Sequence, residues 1–221
     1  MKNIFLIPGH GGKDSGAVGP GGSRECDLNL TIALSCRDML RSMGFKSNSS
    51  RDSDTYISPS GQAGLANQFA PDFSLAIHCN AGGGKGFEAF TSPGDTSADP
   101  IATHLLNTFL GAFPNRVMRT DPSDGDPDKE SKFAVLVGTK HPCVLFECGF
   151  IDNAEEEQFL IREAKNIGEI LAHGIYTYFT KDAAPIPTTP PTAPAEDPFL
   201  VALAKAIMYH EELGKFLTSI K

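Results

Sequence analysis

The stretch LIPGHGGKDSGAVG, Leu6 to Gly19, decides how this chain is read. The preceding residues and its first two form Asn3-Ile-Phe-Leu-Ile7, a short apolar run rich in β-branched and aromatic side chains and stopped by Pro8 and Gly9. That is the pattern of a buried strand. His10 stands just beyond it, where the carboxyl end of a strand in an α/β sheet presents ligand-binding groups. Gly9, Gly11 and Gly12 remove side-chain bulk around the imidazole, which suits close approach of a ligand or substrate. An incidental histidine in a glycine-rich turn would look the same, so the reading needs partners from elsewhere in the chain.

Outward from this stretch, short apolar runs alternate with segments of helical period. Glu25 to Met43 carries apolar residues at Leu28, Ile32, Cys36 and Leu40, and Gly44 ends it. A polar strand is expected at Phe45 to Ser49. Ser58-Pro59 is an N-cap followed by a first-turn proline, opening a helix to about Gln68. Phe73 to Ile77 and Gly86 to Phe90 read as strands, and Asp99 to Phe113 as a helix. Pro114 to Ser131 reads as a long acidic loop. Strands are again expected at Phe133 to Val137 and Cys143 to Glu147, and Asp152-Asn153 caps a helix opening with Glu155, Glu156 and Glu157 and running to about Phe179. The alternation predicts an α/β fold, a mostly parallel twisted sheet flanked by helices, over residues 1–181.

From 182 to 198 the composition changes, with prolines at 185, 187, 190, 191, 194 and 198, the mark of an extended linker. Residues 199–221 then repeat apolar positions at helical spacing. A short tethered amphipathic helix cannot bury its stripe alone, so it is expected to dock on the main domain, meet a partner or self-associate into a homo-oligomer, with self-association the leading reading.

The chain has 221 residues and a formal charge of −8. That acidic balance argues against nucleic acid or an anionic membrane surface as partner. No apolar run approaches the ~20 residues of a membrane span. The five-residue apolar run near the N-terminus is too short for a signal-peptide core, so synthesis in the cytoplasm without export by that route is expected. The five cysteines include no Cys-x-x-Cys pair and read as small buried hydrophobes.

The partners of His10 come from the same pattern repeated. Phe73-Ser-Leu-Ala-Ile77 ends in His78, with Asn80 and the turn Gly82 to Gly84 following. Glu25 opens the first helix, where the chain returns over the same rim; Asp14 and Asp27 are rival donors. Two histidines, one carboxylate and an open position make the donor set of a catalytic zinc site, in which bound water is acidified and a carbonyl polarised. Cys143-Val-Leu-Phe146 delivers a third ionisable group, Glu147, placed to serve as general base and then general acid. Strand alternation turns Cys79 and Cys148, which adjoin site residues, to the opposite face.

With those residues in hand, PGHGGKDSGAVG with Glu25, FSLAIHCNA, GFEAF and PCVLFECGFIDN together resemble the zinc-dependent N-acetylmuramoyl-L-alanine amidases of the amidase-3 type, over residues 1 to about 180. The resemblance implies Zn²⁺ held by His10, Glu25 and His78, a catalytic Glu147, and peptidoglycan as substrate, cut between the lactyl group of N-acetylmuramic acid and L-alanine. Asn80, Gly11 and Gly12 are expected to position substrate. Gln62 stands where the family often has arginine, and Asp121 to Glu130 is more acidic than usual. The chain looks like a phage endolysin, released to the wall through a membrane lesion, or a bacterial amidase freed by lysis. The rival readings are a zinc peptidase cutting within the stem peptide, a glycan deacetylase, and a catalytically dead wall-binding module.

Overall fold

The computed structural model describes residues 1–123 and 125–181. The expected linker at 182–198 and helix at 199–221 lie outside the described residues. Six strands form one sheet: β1 (Asn3–Pro8), β2 (Lys46–Ser49), β3 (Phe73–Asn80), β4 (Glu88–Thr91), β5 (Lys129–Glu130) and β6 (Cys143–Phe150). Their spatial order is β2-β1-β3-β6-β4-β5. Every pairing is parallel except β4 with β6. The expected mostly parallel α/β sheet is therefore what the chain builds.

The strand period sorts side chains onto two faces. Leu6, Leu75, Ile77, Val144 and Phe146 pack on one, beneath α1 (Glu25–Ser42), α3 (Asp99–Ala112) and α5 (Ala154–Thr180). Phe5, Ile7, Ala76, Cys143 and Leu145 pack on the other, with Ala66 of α2 (Pro59–Phe69) and Val135 and Leu136 of α4 (Ala134–Gly138). Cys79 and Cys148 lie in the first, larger core, as the alternation requires. All five cysteines are buried and free. Gly168 lets α5 press onto α1: a Cβ there would stand 2.4 Å from the Ile32 carbonyl oxygen.

The helix termini follow their sequence signals. Ser58 Oγ accepts the Gly61 N–H, and Asn153 Oδ1 accepts the N–H groups of Glu155 and Glu156. The run Phe133 to Val137 departs from expectation: it forms the single-turn helix α4 instead of a strand. Val135 and Leu136 are both buried while Phe133 and Val137 are exposed, so two adjacent residues face the core and the strand alternation is absent. The sheet edge is taken by β5, from within the segment read as loop. Among the described residues no helix is long and apolar enough to cross a membrane.

Candidate active site

The carboxyl end of β1 turns sharply, and His10 adopts φ 61°, a left-handed conformation costly for a side chain with a Cβ and typical of functional loops. The turn sends its imidazole toward Glu25, the first residue of α1: Nε2 lies 3.3 Å from Oε2. His78, near the end of β3, brings Nδ1 to 3.0 Å from Glu25 Oε1. The two rings meet edge to face, with centroids 5.1 Å apart. Donor atoms of His10, Glu25 and His78 all lie within 4.8 Å of one another.

Glu25 is buried and also accepts the N–H groups of Ala17 at 3.0 Å and Cys79 at 3.2 Å. Burial opposes its charge, but the two imidazoles outweigh that and hold the carboxyl well below the usual range. The hydrogen bond to Glu25 in turn raises His10 to about 9, against a smaller opposing effect of burial. A buried carboxylate facing two imidazoles is thus a site built around positive charge. Its nitrogen and oxygen donors, converging within 4.8 Å, fit a divalent ion that accepts such ligands.

Neither rival donor takes part directly. Asp14 Oδ2 binds His10 Nδ1 at 2.9 Å, fixing the ring with Nε2 toward Glu25, the supporting role a carboxylate plays behind a metal-binding histidine. Asp27 is exposed and paired with Arg24 at 2.6 Å, and Arg24 also reaches Asp54. Cys26, Asp27 and Asp54 form a second cluster of donor atoms, but this guanidinium already sits among its carboxylates.

Glu147 stands beside His78 across the β3–β6 pairing, and Glu88 of β4 stands beside Glu147 in turn. Directly paired residues project to the same face, so the three side chains form a row. Just past it the register slips between His78 and Asn80, an irregularity of the kind that re-aims side chains at strand ends. Glu147 Oε2 is buried without a hydrogen-bond partner. Burial pushes this carboxyl up to about 7, and the neighbouring Glu25 and Glu88 add to the rise. A carboxyl poised there exchanges protons near neutral pH.

The glycines around His10 make room for close packing within the protein. Gly9 has no room for a Cβ because the His78 ring would lie 2.1 Å away. Gly11 and Gly12 let the loop press against Thr55 and Tyr56, where added Cβ atoms would come within 2.4 Å and 2.7 Å of backbone atoms. Their N–H groups are occupied by Asp14 O and Asp54 Oδ1. At these two positions the glycines let protein pack against protein. Gly82 and Gly83 likewise donate to Asp152 Oδ2 at 2.7 Å each. Asn80 Nδ2 donates to Glu88 Oε1 at 2.5 Å, so this side chain orients Glu88.

Arg51 and Glu88 have no role in the sequence reading, and Gln62 enters there only as a departure from the family's arginine. Arg51 is buried, and its Nη2 donates to the carbonyls of Gly9 at 2.9 Å and Cys26 at 2.8 Å, tying the His10 loop to the helix start that carries Glu25. No sequence signal separates it from a solvated arginine after a polar strand. Gln62 Nε2 donates to Pro8 O at 3.3 Å, steadying the same loop. Glu88 is buried and ion-paired to Arg119 at 3.1 Å and to Lys129. A glutamate inside the apolar run GFEAF was its available signal.

Comparison with known proteins points the same way as this geometry. Residues 4–177 match the family described as N-acetylmuramoyl-L-alanine amidase. The chain is 37% identical over 158 residues to the sporulation-specific N-acetylmuramoyl-L-alanine amidase of Bacillus subtilis strain 168, covering 71% of this chain and 59% of that protein. It is 33% identical over 178 residues to the endolysin of Bacillus phage SPP1, covering 79% of this chain and 65% of the endolysin. The crystal structure of N-acetylmuramoyl-L-alanine amidase from Clostridium difficile 630 superposes with a TM-score of 0.75 at 29% identity, covering 82% of this chain and 98% of that one. Fold, site and sequence together lead to one statement: the chain belongs to the amidase-3 family of N-acetylmuramoyl-L-alanine amidases.

Proposed function

We propose that the chain is a zinc-dependent amidase that hydrolyses the bond between the lactyl group of N-acetylmuramic acid and L-alanine, with His10, Glu25 and His78 as metal ligands and Glu147 as catalytic residue. The observation carrying this is the convergence of three metal-type donors within 4.8 Å, next to a strand-paired Glu147 whose buried Oε2 has no partner. Zinc bound there supplies an electrophile that polarises a carbonyl and lowers the pKa of water.

The chain's own groups do the rest. Asp14 holds the His10 ring in orientation, and Arg51 holds the His10 loop against the start of α1. Glu147, as carboxylate, takes a proton from the water attacking the amide carbon. It returns that proton to the departing alanine nitrogen as the C–N bond breaks. The products are a lactyl carboxylate and a peptide with a free L-alanine amine. Its place beside His78 on the neighbouring strand suits both halves of this cycle, since the group must accept and then release the same proton.

The test separates ligand from base. Glu147→Gln should keep stoichiometric zinc and lose about 10²–10⁴-fold in turnover, whereas His10→Ala and His78→Ala should lose the metal itself. A Glu147→Gln protein that binds zinc and hydrolyses wall at the wild-type rate would remove Glu147 from the mechanism. The endolysin role draws support from the similarity to the phage SPP1 protein. The similarity to the sporulation-specific amidase supports a second reading, a bacterial enzyme acting as the mother cell lyses. Self-association through 199–221 is part of the proposal, tested by sedimentation of the chain with and without those residues.

A further inference from the structure

Beside Glu147 the structure holds a group of charges that the hydrolytic steps do not use. Glu88 is buried in β4 and both of its oxygens are engaged: Asn80 binds Oε1 at 2.5 Å, while Arg119 at 3.1 Å and Lys129 bind Oε2. Two cations, Arg119 and Lys129, thus converge on this one carboxylate at the rim of the site. The Arg119 side chain is 39% exposed, and only its Nε is engaged by Glu88. Its guanidinium lies 5.0 Å over the Phe150 ring, and its backbone N–H is pinned to Phe87 O at 2.9 Å. Gly86 permits that pinning, since a Cβ there would stand 2.1 Å from the Val117 carbonyl oxygen. A fork of N–H donors is thereby held rigid on one edge and open to solvent on the other, the arrangement that recognises a carboxylate in two-point fashion.

Arg119 lies within reach of a peptide held at the metal-type donors. His78, Glu147 and Glu88 stand on successive strands, so Glu88 lies about two strand spacings, roughly 10 Å, from the metal-type donors. An extended peptide covers about 3.5 Å per residue, which brings the residue after L-alanine within reach of a guanidinium leaning over that gap. The glycan side offers N-acetyl and hydroxyl groups without charge. The peptide side carries carboxylates, beginning with the free α-carboxylate of the glutamyl residue that follows L-alanine through its side-chain linkage.

We propose that Arg119, seated on Glu88 and backed by Lys129, binds the free α-carboxylate of the residue next to L-alanine and makes the enzyme discriminate against substrates in which that group is amidated. This rests on the amidase reading above. The experiment uses two soluble muropeptides, identical except for a free carboxylate or a carboxamide at that position. Release of L-alanine amines is followed for the full chain loaded with zinc and for Arg119→Gln and Arg119→Lys. Hydrogen bonds to a charged group contribute about 1.5–3 kcal/mol, which converts to roughly 10- to 150-fold. Wild type should prefer the carboxylate substrate by a factor in that range, mainly through KM. Arg119→Gln should lose that preference while its rate on the amidated substrate stays within about threefold, which also shows that the variant is folded. Arg119→Lys should keep part of the preference, since the charge remains and the planar fork is lost. Equal loss on both substrates, or an unchanged preference in Arg119→Gln, overturns the proposal and leaves the amidase reading standing. Failure of wild type to cut either substrate after N-acetylmuramic acid overturns the amidase reading and this proposal with it.

Discussion

Gly9→Ala tests whether the glycines around His10 are there for protein packing or for substrate access. Gly9 lies outside the left-handed region, so alanine is compatible with its backbone, and the Gly9 N–H bond to Ile77 O at 3.0 Å needs no change. The added Cβ would stand 2.1 Å from His78 Cε1, 2.3 Å from Nε2 and 2.6 Å from Nδ1. Carbon atoms rest at about 3.5 Å, so the ring must retreat by about 1.4 Å. Metal–nitrogen bonds tolerate deviations of about 0.2 Å, and a 1 Å misplacement at a reacting centre costs about 10²-fold. The same movement opens the 3.0 Å contact of His78 with Glu25. Gly9→Ala should therefore lose zinc on dialysis against nanomolar free metal and fall at least 10²-fold in wall hydrolysis. Its secondary structure by circular dichroism should be retained, since β1 and β3 stay paired. Stoichiometric zinc and wild-type turnover in Gly9→Ala would refute the packing argument.

Other consequences can be checked on the same protein. The metal-free site holds a proton on His10 at pH 7, because Glu25 raises that imidazole to about 9, so zinc binding at pH 7 should release at least one proton. Calorimetry in buffers of different ionisation enthalpy reads that number, and a value of zero would contradict the arrangement. Asp128, buried and raised to about 7 by that burial and by Asp126, contributes stability that is complete below about pH 4 and is lost as pH rises through 7. Asp128→Asn should accordingly be more stable than wild type at pH 8 by about 1–2 kcal/mol, with the gap closing toward pH 4; thermal melts that show no pH-dependent gap would count against it. Gly168→Ala should destabilise by about 1–3 kcal/mol through overpacking of α1 against α5. A melting temperature at or above wild type would show that the two helices have slack.

The sheet and three residues of the candidate site were legible because one local signal recurs, while Glu25 was legible only as the residue that opens the first helix. A buried strand that ends in His10, His78 or Glu147 is visible without knowing which strands pair, and parallel order then brings those ends to one rim. What was not legible depends on contacts between distant segments. Arg51 and Glu88 draw their roles from carbonyls and cations that lie 25 or more residues away, and no local pattern encodes those pairings. The glycine-rich loop shows the same limit: sequence reveals that side chains are missing, and only the fold reveals that Thr55, Tyr56 and the His78 ring fill the space. Phe133 to Val137 was misread because five apolar residues suit a strand or one helical turn equally until their exposures are known.

The most direct measurement digests purified peptidoglycan with the full chain and identifies the new ends by mass spectrometry, before chelation, after chelation and after zinc restoration. The account predicts peptides with a free L-alanine amine and glycan strands of unchanged length, both vanishing with chelator and returning with zinc. New ends within the stem peptide or the glycan, or release of L-alanine amines that persists without metal, would contradict it.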